Sequence, residues 1–430
     1  MTRMLIRGGR ILDPSEDRDE AGDVLIEAGT ISEIAAGLDV PGAEVLDAKG
    51  AWVAPGFVDL HCHLREPGQE YKEDIASGGR AAVAGGFTAV ACMANTQPVN
   101  DDPAMTDFIL DRALHDSPAR VYPVAAATRG LEGQVMTEMV ALVDAGAVAF
   151  SDDGRTIMDS GVMRRVLDYS RLVAAPVIVH CEDRTLVSDG VVNEGPVSTK
   201  LGLPGNPAVA EIVHIHRDLL LAEQVGAHLH VAHVSTAGGV EAIRRARERG
   251  VQVTAEVTPH HLTLTDEATL GYDTNTKVAP PLRGEADVRA CRAGLVDGTL
   301  DAIATDHAPH ALHEKELDFA SAPHGLIGLE TAAAVVLDLV RSGELTPLEW
   351  VRRLSTNPAR ILRKSGGSLA VGASADLVVI DPERRWTYDP VKGHSKSRNS
   401  PWAGQTLTGR VVATVVGGRL VYHVDRGILV

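Results

Sequence analysis

From Gly56 onward the sequence falls into short apolar runs, each followed by a longer helical or looped stretch, and five of those runs lead directly into histidine or aspartate. Alternation of that kind marks an α/β chain with parallel strands. Strands are expected to end near Leu60, Met93, Ala125, Phe150, Val179, Val231, Ala255 and Ala304. Eight βα units spread over roughly 300 residues fit a closed barrel. Residues 1–54 and 366–430 instead alternate short apolar runs with turn signals, as in GDVLIEAGTISEIA and GRVVATVVGGRLVYHV, which reads as small strands. The expected organisation is a barrel over 55–365 and one small β-domain built from both ends, 1–54 and 366–430. Residues 364–372 read as a connector and 389–404 as a surface loop.

At 430 residues the chain exceeds what one ordinary core supports, in keeping with a barrel plus an appendage. Aromatics make up only 3%, so Ala, Val and Gly must carry the packing. A formal net charge of −17 argues against nucleic acid or an anionic membrane as partner, and an anionic small substrate would need local positive groups. Cys62, Cys92, Cys181 and Cys291 lie far apart without a CxxC, so neither a disulfide framework nor a thiolate metal site is expected. The N-terminal MTRMLIRGGRILDP lacks the apolar core of a secretion signal, and no stretch approaches about 18 uninterrupted apolar residues. A cytoplasmic protein is the expectation.

In GFVDLHCHLREPG, His61 and His63 are two apart on a strand and share a face, while Cys62 points the other way. AVAF runs into Ser151, Asp152 and Asp153, PVIV into His180, HLHVA into His233, and LDAIAT into Asp306. Barrel enzymes gather their chemistry at the C-terminal ends of the strands, so these side chains converge. Four imidazoles and two carboxylates exceed one tetrahedral ion and suit two divalent ions sharing a bridging carboxylate and a bridging hydroxide. Nitrogen and oxygen donors without thiolate favour zinc. Neighbours on an extended segment point oppositely, so one of Asp152 and Asp153 faces the ions, and His228 and His230 compete with His233. Arg65, two residues beyond His63, offers a planar fork to a substrate carboxylate; the plainer alternative is an ion pair with Glu66. His214 and His216 read as surface residues. His260 and His261 read as loop residues that either brace the site or simply pack.

Together HCHLREPG, CMANTQP, FSDDG, VHCEDR, HVAHVSTAGG, AEVTPHHL and ATDHAPH resemble the amidohydrolase superfamily, and within it the dihydroorotase family, over nearly the whole chain. That resemblance implies a (β/α)8 TIM barrel with a composite β-domain, two Zn2+ per subunit, and interconversion of dihydroorotate and N-carbamoyl-aspartate in pyrimidine biosynthesis. It puts His61, His63 and Asp306 on one ion, His180 and His233 on the other, and Asp153 between them. Many relatives bridge with a carboxylated lysine; no lysine lies between Lys72 and Lys200, so the bacterial type with an aspartate bridge fits better. The resemblance also has His63, Arg65, Asn95 and His310 grip the substrate, makes Asp306 the base and then the acid, and allows a homodimer or association with aspartate transcarbamoylase.

Two positions depart from the family pattern. Ala279 in KVAPPLR stands where Asn is usual, and His324 in SAPHGLIGLE where Phe is more familiar, although the backbone at Gly325 could still serve. Losing one amide contact costs about 1–2 kcal/mol of binding, which touches substrate choice more than the reaction. The competing readings are a hydantoinase or allantoinase, against which Arg65 and the missing lysine speak, and a silent scaffold for aspartate transcarbamoylase, against which the complete ligand set speaks.

Overall fold

The apolar run Phe57–Cys62 forms the first of eight parallel strands, followed by Phe87–Cys92, Arg120–Ala125, Ala149–Phe150, Val177–Val179, Leu229–Val231, Val253–Val257 and Ala302–Ile303. The computed structural model describes residues 3–429. Each strand pairs in parallel with the next. The ring closes where His63 N donates to His307 O at 2.8 Å and Thr305 N donates to Asp59 Oδ1 at 2.8 Å. Helices such as Ile75–Ala84, Pro103–Asp116, Ser160–Val173 and Ala208–Val225 return the chain between strands. The fold is a (β/α)8 TIM barrel.

The interior explains the scarcity of aromatics. Ala89, Ala91, Ala149, Ala302 and Ala304 pack with Val58, Leu60 and Ile178 into one buried cluster, small residues filling a space too narrow for rings. Strand ends fall close to expectation, but the first and seventh run two residues further, to Cys62 and Val257, because pairing continues there through Cys62 with Cys92 and Val257 with Ile303.

Both chain ends enter one nine-stranded sheet, in which Trp52–Pro55 lies between Arg3–Asp13 and Leu377–Thr387. Its core, including Ile6, Ile11, Val24, Val53, Val379 and Val415, is separate from that of the barrel. Among the described residues no helix is long and apolar enough to cross a membrane.

Two expectations are corrected. Residues 389–404 are a surface loop only in part: Val391, Lys392 and Lys396 are exposed, but Ser395, Ser397 and Asn399 are buried and bonded to the barrel through Glu73, Lys72 and Ala308. His214 is not on the surface either. It is 2% exposed on the inner face of Ala208–Val225, its ring 3.6 Å from Asp218, while His216 on the outer face is exposed.

Candidate active site

Six side chains from five strand ends meet at the barrel mouth. His61 Nε2 lies 3.4 Å from Asp153 Oδ1 and 3.6 Å from Asp306 Oδ1. His63 Nε2 lies 3.2 Å from Asp306 Oδ1 and 3.6 Å from Asp153 Oδ2. His180 Nδ1 and His233 Nε2 are 2.9 Å apart, and each is within 3.7 Å of Asp153 Oδ1. All six residues are buried. Asp153 thus stands at the centre, with two imidazoles on either side and Asp306 next to the first pair.

The neighbouring aspartate turns away, as alternation requires. Asp152 accepts from Thr128 N at 2.9 Å and from the Thr128 hydroxyl, and burial pushes its carboxyl up to about 6. Burial also opposes charge on Asp153, yet the surrounding imidazoles, His61 foremost, hold it well below the usual carboxylate range. His228 and His230 share Thr254 Oγ1, each at 2.8 Å, and the other ring nitrogen of His230 goes to Glu256 at 3.1 Å, so His230 stands behind the ligand cluster and not in it.

Whether this cluster suits a metal can be judged from its own atoms. His61 Nε2 and Asp153 Oδ1 are buried without any hydrogen-bond partner, and unpaired polar groups of that kind are costly unless something else satisfies them. Both point into the cluster, and the donor atoms of His61, His63 and Asp306 lie within 4.8 Å of one another. The residues fit a divalent cation.

The outward nitrogens of three histidines are also held. His61 Nδ1 bonds Glu256 Oε1 at 3.0 Å, His63 Nδ1 bonds Asn95 Oδ1 at 2.9 Å, and His180 Nε2 faces Glu182 Oε2 at 3.6 Å. Carboxylate or amide partners behind ligand imidazoles fix the tautomer and ring angle. Glu256 is fully buried and also accepts from His230 Nε2 at 3.1 Å; against burial, the two imidazoles hold it down to about 2. Sequence reading passed over Glu256, although an acid in the middle of the apolar strand VTAEV was the available signal. Glu256→Gln is expected to weaken metal affinity by about tenfold to a hundredfold, measured by competition with a chelator; unchanged competition would remove the assigned role.

Backbone geometry sets these positions apart. Arg65, His233 and Asp306 adopt positive φ, of 62°, 33° and 46°. Such conformations cost about 1–3 kcal/mol each in non-glycine residues and gather at functional sites.

A cavity of about 460 Å³ opens over the cluster, lined in part by Arg65, Asn95, Ala279, His310, His324 and Gly325. Arg65 does not pair with Glu66, which binds Arg112 at 2.9 Å. Its Nε donates to Pro309 O at 3.2 Å, and among the described residues no carboxylate lies within ion-pair distance of its guanidinium. His310 donates from Nε2 to His324 O at 2.8 Å; burial and the nearby Arg65 push it down to about 2, so the ring is neutral. Asn95 spends its carbonyl on His63 and keeps its amide N–H groups toward the cavity. Gly325 N donates to Lys277 O at 2.8 Å, which leaves no free backbone donor there for a ring amide. His261 bonds Thr258 Oγ1 at 2.8 Å and Pro280 O at 3.1 Å, bracing the wall beside Ala279, whereas both His260 ring nitrogens have no partner.

A Dihydro-orotase-like family model matches residues 50–238 and an Amidohydrolase family model residues 221–422. The dihydroorotase of Anaeromyxobacter dehalogenans strain 2CP-1 is 53% identical over 426 residues, covering 98% of each chain. The chain belongs to the dihydroorotase family. The dihydroorotase of Syntrophus aciditrophicus strain SB is likewise 53% identical, over 98% of this chain and 100% of its own. Among solved structures, the L-hydantoinase of Arthrobacter aurescens superimposes with a TM-score of 0.89 at 25% identity, covering 100% of this chain and 98% of its own. A D-hydantoinase from Bacillus sp. AR9 gives 0.86 at 26% identity, over 99% of this chain and 96% of its own. Membership of the dihydroorotase family makes this chain a cyclic amide hydrolase with a divalent-metal site.

Proposed function

We propose that this chain interconverts dihydroorotate and N-carbamoyl-aspartate, holding two zinc ions on His61, His63, Asp153, His180, His233 and Asp306. The observation that carries the substrate is Arg65, a buried guanidinium with no carboxylate partner among the described residues, at the wall of a cavity whose floor is the ligand cluster. A buried cation left unpaired is unfavourable in the free protein, and a carboxylate on the substrate offsets that cost.

When bound, two such ions acidify water and polarise the carbonyl under attack. The remaining tasks fall to the chain. Asp153 keeps the two ligand pairs together. Asp306, ionised and adjacent to His63, takes the proton of the attacking water and returns it to the departing ring nitrogen, so that one carboxylate serves as base and then as acid. Arg65 takes the substrate carboxylate as a fork, the Asn95 amide donates to the ring, and neutral His310 closes that end of the cavity.

The rival ring substrates of the structural neighbours separate on Arg65, because hydantoin and allantoin carry no carboxylate for it. Hydrolysis of dihydroorotate, hydantoin and allantoin by the zinc-loaded protein is expected to favour dihydroorotate strongly. Arg65→Ala should raise KM for dihydroorotate by about a hundredfold with a much smaller change in kcat. Equal turnover of hydantoin, or an R65A variant with unchanged KM, would overturn the substrate assignment.

A further inference from the structure

The barrel mouth is completed by a segment from the far end of the chain. Between Leu377–Thr387 and Thr406–Val416 the backbone leaves the nine-stranded sheet and crosses onto the barrel. The Ser395 hydroxyl and Lys396 N bond the carboxylate of Glu73, and Ser397 Oγ donates to Lys72 O at 2.7 Å. Glu73, fully buried, also meets His307 Nε2 at 3.3 Å. His307 Nδ1 accepts from Gly328 N at 3.1 Å, so the ring proton sits on Nε2 and is donated to Glu73. The crossing segment is thereby tied to the residue after Asp306.

Four residues further on, Asn399 spends its whole side chain on the cavity wall. Its Oδ1 accepts from His310 N at 3.2 Å, while Nδ2 donates to Ala308 O at 3.0 Å and Gly325 O at 3.1 Å. Its main-chain oxygen accepts from Ile327 N at 2.9 Å. The residue is 3% exposed. Two separate stretches, 308–310 and 325–327, are thus held at fixed spacing by one amide, and across that spacing His310 reaches the carbonyl of His324 and lies 3.4 Å from Arg65 Nη2.

We propose that Asn399 is a positioning residue of the substrate site, setting the distance between the exit of the eighth strand and the 324–327 loop so that His310 and Arg65 meet the substrate's carboxylate end. The assignment rests on the dihydroorotase reading above. Only a carboxamide offers an acceptor and two donors in one plane. Aspartate would set a charge against two carbonyls, and alanine would leave His310 N and Ala308 O, both buried, unpaired, while Gly325 O kept only Lys315 Nζ at 3.1 Å. Asp306 is held independently, through Asp59 with Thr305 and Glu73 with His307, so the chemical step is spared when Asn399 is lost.

The test is steady-state kinetics on metal-loaded full-length Asn399→Ala and Asn399→Asp beside the wild type, with metal content and thermal midpoint measured on the same samples. Both variants are expected to raise KM for dihydroorotate by about tenfold or more while kcat stays within about threefold and metal is retained. A merely structural role would lower the thermal midpoint and the active fraction but leave KM of the folded protein unchanged, and that result would overturn the proposal. Should the alanine variant be insoluble, Asn399→Ser, which keeps an acceptor and one donor, gives the same KM readout. A wild type inactive on dihydroorotate would overturn the functional reading and this assignment with it, whereas an active wild type with unchanged KM in the variants would overturn this assignment alone.

Discussion

Asp306→Asn is expected to lower kcat for ring opening about a thousandfold while the metal content stays near that of the wild type. The substitution keeps the size of the side chain and a carbonyl oxygen in the place of Oδ1, where the structure puts it 3.2 Å from His63 Nε2 and 3.6 Å from His61 Nε2. What it removes is the capacity to accept a proton. In the native chain burial opposes the charge of Asp306, but the close imidazoles of His63, His61 and His233 hold the carboxyl well below its usual range, so it is ionised throughout the neutral region. Its positive φ aims it at the cluster at a backbone cost that packing alone would not require. The measurement is kcat on dihydroorotate together with metal analysis of the same sample. Full metal with near-normal kcat would remove Asp306 from proton transfer; lost metal with lost activity would leave it a ligand only.

What was legible in the sequence follows from strand geometry. A barrel strand that ends in histidine or aspartate can only deliver it to the mouth, so His61, His63, His180, His233, Asp306 and one of Asp152 and Asp153 could be named from the ends of apolar runs; the choice of Asp153 came from the family resemblance, and the six are brought together in space. Contacts that depend on partners distant in sequence were not legible. Glu256 is separated from His61 by 195 residues, and nothing local to either shows the bond. The segment 389–404 misled because its serines and asparagine carry the composition of an exposed loop; burial becomes affordable only once Glu73, Lys72, Ala308 and Gly325 supply partners, the first two 322 and 325 residues away. His214 misled for a related reason, since two histidines at i and i+2 do not reveal which one faces the barrel. Arg65 shows the converse: the nearby Glu66 offered an obvious ion pair, and the structure sends Glu66 to Arg112 instead.

The same alternation that left Asp152 and Asp153 unresolved supplies the second large prediction, because the two neighbours are chemically identical and differ only in what they face. Asp153→Ala removes the only carboxylate among the described residues within 3.7 Å of all four ligand imidazoles. His180 Nδ1 and His233 Nε2, 2.9 Å apart, would then face each other without the carboxylate oxygen that lies within 3.7 Å of both. The expected result is a fall from about two bound metals to less than one and a loss of turnover of at least about ten-thousandfold, since the nucleophile and the carbonyl activation are lost together. Asp152→Asn is the control. Its carboxylate is engaged by Thr128 on the far side of the strand, and the amide retains an acceptor for Thr128 N, so metal content should be unchanged and any cost should appear in the thermal midpoint. If instead Asp152→Asn emptied the site and Asp153→Ala did not, the strand would be reading with the opposite phase, and the placement of His180 and His233 opposite Asp153 would have to be abandoned with it.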